Sequence, residues 1–235
     1  MSQLPPDLSH LSPVEKRTLL AKLLKERSRG VSTASSMEQQ RRRLLDLFAV
    51  PVTELSPEAV LDPAIRPEGL PGQYPTEPAH IFLTGATGFL GAFLLHELLQ
   101  QTKATIYCLV RCANVEEGRQ RIDRNLAAYV PGSDHHRSRI IPVARDLSQP
   151  LLGLLPEQFE TLATQIDTIY HNGAMVNWIY SYSRLKSANV VGTQEILRLA
   201  SRGTVKPVHV VSSLSVFPLV GNPQGKVVRE PDSVD

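Results

Sequence analysis

Thr84-Gly85-Ala86-Thr87-Gly88-Phe89-Leu90-Gly91 sets three glycines at three-residue spacing directly behind an apolar run and ahead of a helical pattern. Each glycine has a physical use there. Gly85 allows a tight turn, Gly88 lets backbone approach a pyrophosphate, and Gly91 lets a helix pack close to a strand. The helix N-terminus adds free N–H groups and a positive dipole end for phosphate. Residues 84–91, with Thr84, Thr87, Phe89 and Leu90 beside the glycines, are therefore the expected dinucleotide cradle. No Gly-Lys-Ser/Thr follows, so the loop is not of the Walker type.

The second strand should end about 20 residues on, where a carboxylate would select NAD. Val110-Arg111 stands there instead. The planar fork of an arginine suits a 2′-phosphate, so the expected cofactor is NADP(H), with Arg121 on the next helix assisting Arg111. Asp146-Leu147 follows the third strand. Asp146 faces the ligand crevice as a partner for adenine, or closes an Asx-turn or helix cap. After the fourth strand, His171 reads as a structural hydrogen-bonding residue, while Asn172, Gly173 and Ala174 let the backbone pass close to a cofactor. Asn189-Val190-Val191-Gly192-Thr193 puts poor helix formers inside a helical pattern, marking a functional position or a close helix–sheet contact. Ser213 follows the fifth strand, with its hydroxyl directed at a carbonyl being reduced or serving as a cap or turn.

These residues need a scaffold, and the pattern supplies one. Apolar runs at 81–84, 105–110, 140–143, 168–170 and 208–212 alternate with helical patterns at 88–101, about 115–129 and 184–202. No helical pattern separates the third and fourth runs. Strands alternating with helices of this length predict an α/β fold, a doubly wound parallel sheet of Rossmann type. A helical and extended lead precedes it.

In that lead, Ser12-Pro13-Val14-Glu15 reads as a helix start, and Leu19, Leu20, Leu23 and Leu24 recur at helical spacing. Residues 30–36 read as a flexible linker and 41–50 as a short second helix. Seven prolines between 51 and 78 exclude a continuous helix or a central strand, leaving an extended connector. The expected domains are a linker or docking helix at 1–30, a proline-rich connector at 31–78 and a dinucleotide-binding domain at 79–235.

Composition narrows the function classes. The chain has 235 residues, 42% hydrophobic and 20% charged, with a net charge of +2. A packed core is within reach. No like-charge block exceeds the arginine triplet at 41–43, which argues against a nucleic-acid binder. No apolar run approaches a membrane span, and the first residues do not form a secretory signal. Two cysteines, Cys108 and Cys112, cannot form a disulfide framework or a four-ligand metal site. A cytoplasmic protein is expected.

Together TGATGFLG, Val110-Arg111, Asp146-Leu147, HNGAMVN, ANVVGTQEILRLA and VVSSLSVF resemble the extended short-chain dehydrogenase/reductases. More narrowly, the chain resembles the thioester reductase domains that terminate non-ribosomal peptide and polyketide synthetases. Carboxylic acid and aminoadipate reductases carry similar domains. The resemblance implies NADPH-dependent reduction of an acyl or peptidyl thioester on the phosphopantetheine arm of a carrier protein, giving an aldehyde or an alcohol. It matches Ser213 to the family's catalytic Ser/Thr and likens the leucine-rich helix to one that docks synthetase subunits. The family's Tyr-x-x-x-Lys pair is expected beyond Ser213, where 22 residues contain no tyrosine. The one such spacing, Tyr182 to Lys186, precedes the fifth strand and reads as a coincidence. The expectation is a domain short of its second catalytic half, turning over little by itself. A non-catalytic NADP(H)-binding module, a truncated fragment and a reductase or epimerase of sugar nucleotides are the alternatives.

Overall fold

The computed structural model describes residues 60–72, 75–131, 134–177 and 180–213. The expected helices at 12–30 and 41–50, and the linker between them, lie outside this range.

Strand β1 (His80–Thr84) opens the domain, followed by helix α1 (Phe89–Gln101), β2 (Thr105–Val110) and α2 (Val115–Tyr129). Next come β3 (Ile140–Ala144), α3 (Pro156–Gln165), β4 (Thr168–His171), α4 (Tyr182–Lys186), α5 (Gly192–Ala200) and β5 (Val208–Val210). The sheet order is β3-β2-β1-β4-β5. All four pairings are parallel, with Phe82 opposite both Tyr107 and Ile169. Chain order reverses between β1 and β4, which makes their carboxyl ends the switch point of a doubly wound sheet.

Strand alternation divides the core between the two faces. Ile81, Leu83, Ile106 and Cys108 pack with Leu95 of α1 and Ile122 of α2. Phe82, Leu109 and Ile169 pack with Phe159 of α3 and Ile196 of α5 on the other face. Helices on both faces are what near-continuous apolar strands require.

One local reading changes and a second gains detail. The sequence reading has no helix between the third and fourth strands, yet α3 is there. Its signal is Pro156 at the first helical position and Phe159, Leu162 and Ala163 on one buried face. The helical stretch expected at 184–202 is present as α4, a π-helical turn (Ser187–Val191) and α5 in direct succession. Asn189 lies in that π-helical turn. Its Oδ1 accepts the Met175 N–H at 2.7 Å, and its Nδ2 donates to the Met175 carbonyl at 3.0 Å. The residue thus ties the segment after β4 to this helical stretch. Gly192 makes a separate close approach, to the segment after β3: a Cβ there would stand 2.8 Å from the Leu147 carbonyl oxygen.

The described connector is built from turns and fastened to α5 and the residues after it. Asp62 and Arg198 pair at 2.6 Å, Ile65 is buried, and Gly72 bridges Val205 in parallel. Residues 176–185 belong to a separate compact unit. Within it Asn177 Oδ1 accepts the Tyr180 N–H, and the Arg184 guanidinium lies 3.7 Å from the Tyr180 ring centroid.

Lys206 is 3% exposed and donates to the carbonyls of Arg202 at 2.7 Å and Thr204 at 2.9 Å. It closes the C-terminal end of α5, and desolvation lowers its pKa. Lys206→Met strands those carbonyls. A loss of about 1–3 kcal/mol is expected, read as a lower urea midpoint at unchanged m-value.

Candidate functional site

The carboxyl ends of the parallel strands bring the expected residues to one edge of the sheet. The glycine loop leaves β1, Arg111 leaves β2, Asp146 and Leu147 follow β3, Asn172 follows β4 and Ser213 follows β5.

Within the loop, Gly85 takes φ +76°, which a side chain would strain. A Cβ there would also lie 2.8 Å from the Asn172 backbone. The loop therefore presses on the segment after β4, closing the floor of the switch point. A Cβ on Gly91 would overlap the Gly85 carbonyl oxygen. The Gly88 N–H bonds the Gly85 carbonyl at 3.0 Å. Gly88 caps α1 with no side-chain hydrogen bond, and the first turn carries no acidic residue. The first amides of α1 have no intrahelical acceptor and no side-chain cap. That cradle of backbone donors fits an anionic pyrophosphate. Phe89 and Leu90 are exposed beside it.

Thr84, at the end of β1, leads into the loop. It is fully buried, and its hydroxyl serves the interior. Oγ1 accepts the Gly173 N–H at 2.8 Å and lies 2.8 Å from His171 Nδ1. His171 Nε2 is 3.1 Å from Thr193 Oγ1, which donates to the Asn189 carbonyl at 2.7 Å. One protonation pattern satisfies the whole chain. Thr84 O–H donates to Nδ1, and neutral His171 donates from Nε2 to Thr193. Sequence reasoning treated these residues separately, because no local pattern shows the relay.

Burial lowers the His171 pKa from its ordinary 6.5. The unfolded chain therefore takes up this proton first. The stability that neutral His171 contributes is complete above pH 6.5 and is lost as pH falls through the lower folded value. Urea midpoints should drop as pH falls below 6.5, with a shallower fall in His171→Gln.

Arg111 is exposed at the end of β2, and Nη1 of Arg121 donates to the Arg111 carbonyl. Arg121 thus braces the backbone that carries Arg111. Asp146 Oδ1 accepts from Ser148 N–H at 2.9 Å and Ser148 Oγ at 2.8 Å, an Asx-turn. That turn leans on two left-handed leucines, Leu151 (φ +50°) and Leu152 (φ +60°). The Glu195 carboxylate accepts the Leu151 N–H at 3.1 Å, and the Leu152 carbonyl accepts the Asp146 N–H at 3.1 Å. Their strain is held by α5 and sets where Asp146 and Leu147 stand. Neither leucine announced itself in the sequence. Asn172 Nδ2 donates to the Gly85 carbonyl at 3.4 Å, Gly173 is half-buried and Ala174 is exposed. Ser213 is exposed three residues beyond β5. Tyr182 and Lys186 bound α4, before β5.

Among the described residues no group of three or more His, Cys, Asp or Glu could hold a metal ion. No described helix is long and apolar enough to cross a membrane.

A glycine loop at the switch point of this sheet, its helix end open to an anion, defines a domain for a nicotinamide dinucleotide. The chain belongs to the NAD_binding_4 family, described as male sterility protein, whose model matches residues 83–233. It is 50% identical over 178 residues to a linear gramicidin synthase polypeptide of Brevibacillus parabrevis, covering 76% of this chain and 4% of that one. The terminal R domain of the myxalamid PKS-NRPS pathway superposes with a TM-score of 0.73 at 46% identity, over 78% of this chain and 46% of that one. The reductase domain of a non-ribosomal peptide synthetase from Mycobacterium tuberculosis gives a TM-score of 0.59 at 33% identity, over 71% and 41%. These matches confirm the family resemblance and the Rossmann-type fold. The chain spans under half of the solved domains it matches and a small fraction of the synthase.

Proposed function

We propose that this chain provides the NADP(H)-binding core of a reductase acting on an acyl or peptidyl thioester held on the phosphopantetheine arm of a carrier protein. The observation that carries the reading is the open glycine cradle of a domain 46% identical to a terminal R domain. The amides at the start of α1, with Gly85, Thr87, Gly88, Phe89, Leu90 and Gly91 shaping the loop, would bind the pyrophosphate. Arg111, braced by Arg121, would pair with the 2′-phosphate through its fork. Asp146 and Leu147 would border the adenine, and Asn172, Gly173 and Ala174 the far side of the crevice. Ser213 would donate a hydrogen bond to the carbonyl oxygen as negative charge develops. The chemistry a bound nicotinamide would supply is hydride transfer to that carbonyl. The C–S bond would then break, the pantetheine sulfur leaving as thiol with a proton from water, to give the aldehyde. A hydride from a second NADPH with another proton would give the alcohol.

In this reading residues 79–235 are the reductase domain, 31–78 the connector and 1–30 the contact with other synthetase subunits, all in the cytoplasm. Calorimetric titration with NADPH and NADH tests it. NADPH should bind at least about tenfold more tightly, the worth of one charge-assisted hydrogen bond. Equal affinities, or no binding, overturn it.

A further inference from the structure

Asn125 lies on α2, which carries no residue expected to touch a dinucleotide apart from Arg121. Its side-chain Nδ2 donates to two carbonyls of the glycine loop, Ala86 at 3.1 Å and Gly88 at 3.0 Å. The Gly88 carbonyl also accepts the Ala92 N–H, and the Gly85 carbonyl accepts the Gly88 N–H. Three loop carbonyls are thus engaged by donors of the protein itself.

A trans peptide is planar, with its C=O and N–H pointing in opposite directions. The Ala86 carbonyl belongs to the peptide unit whose N–H is that of Thr87. The Gly88 carbonyl belongs to the unit whose N–H is that of Phe89. Holding both carbonyls toward α2 therefore turns both N–H groups away from it. Without Asn125 the Ala86–Thr87 unit could rotate and present a carbonyl lone pair where an anion should sit, and the Gly88–Phe89 unit would keep only its bond from the Ala92 N–H.

Helix α2 is placed to keep this hold. Ile122 and Leu126, flanking Asn125, are each 1% exposed in the core. Tyr129, one turn further on, meets the Phe89 ring edge-on at a centroid distance of 5.2 Å.

We infer that Asn125 is a positioning residue for the pyrophosphate-binding loop, fixing the Thr87 and Phe89 amides toward the anion. The inference rests on reading the loop as a dinucleotide cradle.

Two substitutions in the full chain, probed with NADPH and with 2′-AMP, test it. The second probe carries the adenosine and 2′-phosphate but no pyrophosphate. Asn125→Leu keeps the size and removes both donors, and should weaken NADPH about tenfold. Asn125→Asp sets a carboxylate against the two carbonyls and should weaken NADPH at least about tenfold more, with part recovered at high salt. Binding of 2′-AMP should stay within about twofold of the unsubstituted chain for both, since its contacts lie outside the loop. Parallel loss of both probes marks a general structural role and overturns the inference. NADPH affinity unchanged in both variants also overturns it, while leaving the cradle reading intact. Failure of the unsubstituted chain to bind NADPH removes the cradle reading and this inference together.

Discussion

Gly91→Ala is expected to cost about 3 kcal/mol of folding stability and to weaken NADPH binding about a hundredfold. The added methyl would overlap the Gly85 carbonyl oxygen and stand 2.8 Å from the Gly85 carbonyl carbon and 3.0 Å from Ala86 Cα. All three are backbone atoms, so no side-chain rotation relieves the contact. Either α1 retreats from β1 or the loop deforms. Retreat opens the face where Ala92 and Leu95 are fully buried. Overpacking of this kind costs about 1–3 kcal/mol, occasionally more. Gly91 is at the upper end because the clash is with a backbone turn. Deformation misdirects the amides at the start of α1, and losing two charge-assisted hydrogen bonds accounts for the hundredfold. Urea unfolding and calorimetric titration read the two effects separately. An alanine variant with unchanged midpoint and affinity would show that the loop does not need a glycine there.

Arg111→Ala should lower NADPH affinity about ten- to a hundredfold and leave NADH within about twofold. Arg111 is exposed, and the brace from Arg121 reaches its carbonyl rather than its side chain. Truncation therefore leaves the backbone held and no buried partner stranded. The lost energy is that of the fork on a doubly charged phosphate, which NADH lacks. Equal loss for both cofactors would place Arg111 elsewhere in the site. No loss for either would remove the NADP assignment. Arg121→Ala separates support from contact: it should weaken NADPH less than Arg111→Ala does, because only the brace is removed.

Much of the fold was legible in short-range pattern. Runs such as HIFLT and TIYCLV are apolar nearly throughout, which suits strands covered on both faces. TGATGFLG between such a run and a helical pattern locates the turn where backbone must lie close to backbone. The helix at 156–165 escaped because Pro156 and its apolar face occupy barely three turns. The π-helical turn before α5 was not legible, because periodicity does not register the side-chain reach of Asn189 to Met175.

The chain's residues by themselves determined the sheet class, the glycine loop and the strand-end arginine. Each depends on neighbours within a few positions, where periodicity and backbone freedom act directly. Only the tertiary structure decided how the loop and the connector are held. Thr84 meets His171 across 87 positions, Asn125 meets Ala86 across 39, and Asp62 meets Arg198 across 136. Such pairs are made by the order β3-β2-β1-β4-β5 and its register, which set which strand ends and helix faces become neighbours. A hydroxyl, an amide or a carboxylate carries no mark in sequence of the distant group it will meet. Burial and hydrogen-bond satisfaction make that choice only once the sheet has closed around them.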